Sequence, residues 1–323
     1  MDRGRPVTSG IAVFAVAAFQ NARHVEQALR SLLDQGEVRV VVVDDCSDDG
    51  SYERLLTFAD AERVTVLRNE RRLGMPRNWQ RAAEEALARH PEAEWFAWGS
   101  DHDIWAEGWF EALGAALEAD ADAPFAYPTP VAVDDAGAVL SEFSRPGKPG
   151  DPVGGLEHAG RVTGSSRPVK PGDAIYGLFR ASVVRECLPV PVVPAFDRVI
   201  LARAAARGRA IHVDRPLWLR RYSVTDGAPT RPSRARQRRG FWPERRPPWW
   251  ALLPVHWVHG VVLCRDAIRD RGQIAPGMTF ARARIVVGHY AEGRKRRRHR
   301  RREAMLRTIL APARWLLRGR RSS

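Results

Sequence analysis

Short unbroken apolar runs alternate with stretches in which apolar residues recur every three or four positions. Ile11–Phe19 is the first run, and behind it Val25, Ala28, Leu29, Leu32 and Leu33 share one face of a helix that Gly36 closes. Val38–Val43 holds valines around a single arginine, the mark of a strand covered on both faces in a parallel sheet. The pattern then predicts a helix over 51–62, a strand over 63–69, a helix over 75–90 with Pro76 near its start, and a strand over 93–100. Further on come a helix over 108–120, a hairpin over 124–140 turning near Asp134–Gly137, and a strand over 173–180. A helix over 195–209 that its glycine ends and a closing edge strand over 210–223 complete the series. Such alternation implies right-handed βαβ units wound into a mostly parallel sheet flanked by helices, an α/β fold. Residues 144–172 are rich in Gly, Pro and Ser and read as a long mobile loop.

Composition changes this picture in two places. The chain has 323 residues, 44% of them hydrophobic, enough for one large α/β domain with an appendage. Its net charge of +14 is unevenly spread: residues 223–323 carry 25 Lys/Arg against 6 Asp/Glu, a balance of +19, which leaves −5 for residues 1–222. A mildly acidic body therefore ends in a strongly basic tail. Cys46, Cys187 and Cys264 are widely spaced and odd in number, which argues against a disulfide framework and fits a reducing compartment. The arginines before Ile11–Phe19 give the N-terminus the look of a secretory signal. The domain pattern that runs on without a break favours a buried first strand. No run reaches the roughly 18 apolar residues of a membrane-spanning helix.

Candidate chemistry gathers at strand ends. Asp44 and Asp45 close one apolar strand, and Asp101 and Asp103 follow another. Ligands of open α/β sheets bind at the carboxyl ends of strands, and two carboxylates one residue apart suit a hard cation that shares a phosphate. Neither G-x-G-x-x-G nor G-x-x-x-x-G-K-[ST] occurs, which counts against dinucleotide dehydrogenases and P-loop enzymes. A G-x-S-x-G elbow and an H-E-x-x-H pair are also missing. What is left is a site that holds phosphates through a metal, as a nucleotide diphosphate leaving group would need.

From Ile11 to Ser223 the chain resembles family 2 glycosyltransferases of the GT-A fold. The residues that carry the resemblance are NARHVEQALRSLLDQ, VVVVDDCSDDGS, NERRLGMPRNWQRA and SDHDIW, the last in the place of a D-x-D motif. The resemblance implies that Asp45 contacts the nucleotide base while Asp44 supports the turn and Asp48 shapes the loop. It also implies that Asp101 is shared between ribose and metal, that Asp103 is a metal ligand, and that the cofactor is Mn²⁺ or Mg²⁺. Capping of the helix after Ser51 is the plainer role open to the first three acids. Arg77 is either a phosphate or base contact or an exposed helical arginine. Asp197 stands where the family keeps an acid that takes the acceptor's proton, with Phe196 in place of a first acid, and an ordinary helix N-cap is its alternative. The family's P-x-Y-N reads AFQN, so stacking on the base falls to Phe19. Its R-x-H reads RRYS, so Arg220 or Arg221 stands where a metal-binding histidine would be.

These residues divide the chain into a GT-A domain, 1–225, and a basic extension, 226–323. The extension has several tryptophans and an apolar stripe from Met305 to Leu317 that Pro312 should kink. An anionic membrane, nucleic acid and plain solvation are open for this tail, and the stripe favours the membrane. The expected protein is a metal-dependent, inverting glycosyltransferase that acts on a nucleotide-diphosphate sugar and a cell-surface glycan or glycolipid acceptor. It would lie in the cytoplasm at the inner face of the plasma membrane. The rival is a nucleic-acid- or membrane-binding protein with an inactive GT-A-like body. A signalling receiver is excluded because no Asp ends the third strand, and a nucleotidyltransferase is disfavoured because no glycine follows the first.

Overall fold

The computed structural model describes residues 10–140, 173–222 and 239–269, apart from positions 61, 209, 244, 245 and 254, together with two short strand pieces at 224–225 and 228–229. The 144–172 loop and the Met305–Leu317 stripe lie outside the described residues.

In chain order the body runs β1 (Ala12–Ala18), α1 (Val25–Leu33), β2 (Val38–Asp44), α2 (Ser51–Leu56), β3 (Val64–Arg68), α3 (Met75–Arg89), β4 (Trp95–Gly99) and β5 (Ile104–Trp105). It continues with α4 (Trp109–Glu118), β6 (Phe125–Val133), a 3-10 turn (Asp173–Tyr176), β7 (Leu178–Arg180), α5 (Ala181–Cys187), α6 (Phe196–Ala205) and β8 (Ile211–Arg221). Strands β9 (Val224–Thr225) and β10 (Ala228–Pro229), a 3-10 turn (Trp249–Leu252) and α7 (Val255–Arg269) follow.

Among the described residues β1–β8 form one sheet in the order β3-β2-β1-β4-β7-β6-β8-β5. β1, β2, β3 and β4 run parallel, β6 runs parallel to β8, and only β7 and β5 are reversed. The mostly parallel sheet is as expected. So is its double cover. Ala12, Phe14 and Val16 of β1 pack with α1 and α4 on one face, while Val13 and Ala15 pack with α3 and α6 on the other. That is why β1 and β2 read as continuous apolar runs. Gly99 closes β4 where a Cβ would come within 2.5 Å of Val16 Cγ2, so the strand reaches its carboxyl end against β1 only without a side chain.

Several expected elements take another form. The 51–62 helix stops at Leu56. The 173–180 stretch is a 3-10 turn before the three-residue β7, because β7 is a short bridge between β4 and β6. The hairpin turn forms at Asp134–Gly137, where Gly137 takes φ +90 and donates its N–H to Asp134 O at 3.1 Å, but β6 returns through a single bridge. Its main partner is β8, with a register shift around Thr129, where Pro128 and Pro130 remove ladder donors. β8 is not the sheet edge: Ile104 and Trp105, directly after the second acid pair, lie outside it as β5. A two-residue strand is too short to announce itself by periodicity.

The first part of the basic extension packs on the body. Val258 and Leu263 of α7 are buried in the same core as Trp79 and Val199. Arg203 of α6 holds Asp266 of α7 at 2.8 and 3.1 Å, and His259 Nε2 lies 2.8 Å from Pro194 O.

Candidate active site

Strand ends bring the acids together. β1, β2 and β4 finish side by side, Ala18 in register with Asp44, and Asp45 N donates to Ala18 O at 3.0 Å. Asp101 Oδ2 accepts from Phe19 N and from Asn21 Nδ2, both at 2.8 Å, so the loop after β4 is tied to the loop after β1. Asp103 Oδ1 accepts from Arg221 N at 2.8 Å, tying the same loop to the end of β8. Phe19, Asp44, Asp45, Asp101 and Asp103 thus meet at one end of the sheet.

The two acids after β2 are held differently from each other. Asp45 is buried and its carboxylate accepts three bonds, from Asn69 Nδ2 (2.7 Å), Leu73 N (2.6 Å) and Gly74 N (2.8 Å). It fixes the entry to α3 and fills most of its roughly four acceptor sites. Asp44 is fully buried. Its Oδ2 accepts from Ser47 N at 3.0 Å and lies 3.4 Å from Arg68 Nε, but Oδ1 has no protein partner. Burial raises the Asp44 pKa against the opposing effect of Ser47 and Arg68. The unused acceptor of the pair is therefore on Asp44, whereas Asp45 anchors the turn. Asp48 bonds the Gln20 side chain and so ties its loop to β1. Asp49 takes the Ser51 hydroxyl at 2.5 Å and Ala22 N at 3.0 Å.

The asparagines of the NERRLGMPRNW segment explain why it follows this strand. Asn69 and Asn78 are buried and bonded to each other at 2.9 Å. Asn78 Nδ2 reaches Val43 O at 2.9 Å, and Arg81 donates to Asn69 Oδ1 at 2.6 Å. They weld α3 to the carboxyl end of β2. Arg77 lies exposed in the first turn of α3. Arg72, which the sequence did not single out, sits 4.0 Å from the Phe19 ring centroid with its buried Nε unpartnered.

His102, half-buried, lies between the two acids of its loop. Its Nδ1 lies 2.7 Å from Asp101 Oδ1 and its Nε2 3.8 Å from Asp103 Oδ1. Burial works against the imidazolium, but Asp103 and Asp101 outweigh it and lift the pKa to about 9. The two carboxylates thus favour the charged imidazolium between them. Among the described residues no group of three or more His, Cys, Asp or Glu forms a metal cage. Two carboxylates fit the cation whose remaining ligands are phosphate oxygens and water.

Asp197 is in the first turn of α6, but the N-cap is Ala195, at φ 53, with no side-chain cap. The ordinary capping role is therefore not the one Asp197 fills. Burial raises its pKa, Arg198 opposes the rise and Asp173 adds to it. Phe196 faces the core, edge-on to Trp79 at 5.1 Å, which is why no acid occupies that position. Asp173 pairs with Arg220, and Tyr176 stacks on Trp218 at 4.5 Å. Burial raises the Tyr176 pKa and Asp103 adds to the rise, so the phenol stays protonated beside the acids. Arg221 is committed elsewhere: its guanidinium donates to His102 O (2.8 Å), Asp135 O (2.6 Å) and Gln27 Oε1 (2.7 Å). Asp173 and Tyr176 gave no signal in the sequence, since they follow a Gly/Pro-rich stretch with no motif of their own.

A doubly wound sheet with paired acids at the ends of β2 and β4 defines a GT-A fold. Solved structures share it. S. aureus TarS 1-349 in complex with UDP-GlcNAc matches with a TM-score of 0.54 at 16% identity, covering 86% of this chain and 70% of that one. S. aureus TarS matches at 0.51 and 15% identity, covering 79% of this chain, which spans only 40% of that one. At such identity the likeness is one of fold. No curated protein matches the chain. Residues 14–144 match the model of glycosyl transferase family 2.

Proposed function

We propose that the chain is a family 2 glycosyltransferase, nucleotide-sugar dependent and inverting. The observation that carries this reading is the meeting of Asp44, Asp45, Asp101 and Asp103 at the carboxyl ends of β2 and β4, with Asp197 in the same field of charges as Asp173 and Arg220. Asp44 offers the base its unused Oδ1 while Asp45 anchors the turn beside it, Phe19 and Arg72 flank the base, and Asp101 orients the ribose. Arg77 meets the phosphates in this reading. Asp101 and Asp103 would hold Mn²⁺ or Mg²⁺, which supplies neutralising charge to the departing diphosphate. Asp197 takes the proton of the acceptor hydroxyl as its oxygen bonds to the anomeric carbon and the bond from that carbon to the diphosphate breaks.

In this reading residues 1–225 are the catalytic domain and 226–323 the basic extension. The +19 balance of residues 223–323 supports association with an anionic membrane at the cytoplasmic face more than with nucleic acid, given the exposed Trp249 and Trp257. Among the described residues no helix is long and apolar enough to cross a membrane. A growing cell-surface glycan or glycolipid is the acceptor class that fits such a position.

A thermal-shift panel of UDP, GDP, dTDP and CDP, with and without Mn²⁺, on wild type and Asp103→Ala tests the site. One nucleotide should raise Tm only with metal, and the variant should lose that shift. A folded protein that responds to no nucleotide would overturn the reading in favour of a binding protein with an inactive body.

A further inference from the structure

We infer that the outward face of α7, with the 3-10 turn before it, is a folded surface that seats the protein on an anionic lipid bilayer. The inference rests on the proposed membrane association and shifts its contact from the basic run alone to a defined face. α7 is apolar on two sides. Val258, His259 and Leu263 face the body and are buried. On the opposite side Trp257 (52% exposed), Val261 (71%) and Ile268 (62%) lie within one stripe, together with the exposed thiol of Cys264. Trp249 (74% exposed), Leu252 and Leu253 extend the patch from the adjoining turn. A helix apolar all round is normally covered, so its outer side needs an occupant.

Charge selects that occupant. The rim of the patch is basic: Arg246, Arg265 and Arg269 are exposed, whereas Asp266 is turned inward to Arg203. Residues 293–302, GRKRRRHRRR, follow in the chain. A second copy of this chain would bring two such rims together across a two-fold contact, like against like. A bilayer with anionic headgroups meets the arginines with opposite charge, accepts the aliphatic side chains below, and suits tryptophan at the level between. α7 is bonded to the helix that carries Asp197 through its inward side, so the outward face lies on the far side of α7 from that helix.

The test is flotation of the full chain with vesicles of phosphatidylglycerol and phosphatidylcholine, and of phosphatidylcholine alone, at low salt and at about 0.5 M salt, where a Debye length of a few ångströms suppresses surface attraction. Two charge-neutral variants are compared, Val261→Ser/Ile268→Ser and Trp249→Ser/Trp257→Ser, with circular dichroism as the check on folding. We expect wild type to retain a bound fraction on the anionic vesicles at high salt, and each variant to lose about tenfold or more of its partitioning there. Variants that float like wild type, with all binding abolished by salt, would assign the contact to the basic run and overturn the inference. So would a chain that ignores vesicles and sediments as a dimer that the variants dissociate. Flotation does not read sugar transfer, so either result leaves the nucleotide panel to judge the enzyme on its own.

Discussion

The acids at the ends of β2 and β4 and those near α6 are held in opposite ways. Around Asp45 and Asp101 nearly every oxygen meets a fixed donor, mostly backbone N–H or buried asparagine, so their geometry is locked before any ligand arrives. Around Asp197 burial raises the pKa, Arg198 and Arg220 oppose the rise and Asp173 adds to it, so this carboxyl is tuned upward instead of held in a rigid cradle. Binding a nucleotide calls for preorganised acceptors, whereas accepting a proton calls for a carboxylate whose basicity is tuned upward. In the proposed reading the two groups of acids differ in the kind of partner each recruits.

The largest effect should come from the tuned side. Asp197→Asn is expected to lower kcat by about 10³-fold while leaving nucleotide affinity within a factor of about two. A matched loss of affinity would show that Asp197 belongs with the donor-holding acids. Since burial raises its pKa, the acid limb of kcat should lie above the ordinary Asp value of 3.8 and disappear in the variant. The same sign governs stability. A carboxyl whose folded pKa exceeds its unfolded one contributes stability below the unfolded value and loses it as pH rises through the folded value, so Asp197→Asn should raise Tm at neutral pH.

On the locked side, Asp103→Ala should reduce turnover on the order of 10²-fold and abolish the metal-dependent thermal shift. Asn78→Ala tests the lock itself. It removes the bonds to Val43 O and from Asn69 Nδ2, which keeps its bond to Asp45, and should destabilise the fold by about 2 kcal/mol by chemical denaturation. An unchanged midpoint would mean that α3 is held by packing alone. Smallest of all, Arg72→Ala removes the guanidinium over Phe19 and should weaken nucleotide binding about fivefold, the worth of one partly exposed cation–π contact. Titration calorimetry resolves that change.

Much of the locked side was legible because its signals are local. Val38–Val43 could only be a strand covered twice, and a strand of that kind must end at a ligand-facing edge. Two acids placed there, and two more after a later buried strand, already located the acid cluster. Phe19 came into view only through the likeness of AFQN to the family's P-x-Y-N. The division of labour between Asp44 and Asp45 was not. It depends on where Leu73 N and Gly74 N point, and Gly74 takes φ +85 with Phe241 O 2.6 Å from where a Cβ would sit. Nor could residue types reveal that His102 bridges its neighbours, since any D-H-D in a loop reads the same until the backbone folds it.

The sequence by itself determined the α/β class, the parallel heart of the sheet and the meeting of Asp44, Asp45, Asp101 and Asp103, because periodicity and strand-end position are properties of neighbouring residues. Only the tertiary structure decided that β6 pairs with β8, that Asp173 and Arg220 form a charge pair beside Asp197, and that α7 folds onto α6 with tryptophan left facing outward. Those contacts join residues far apart in the chain, and which of them form is settled by competition among packed surfaces that no local window contains.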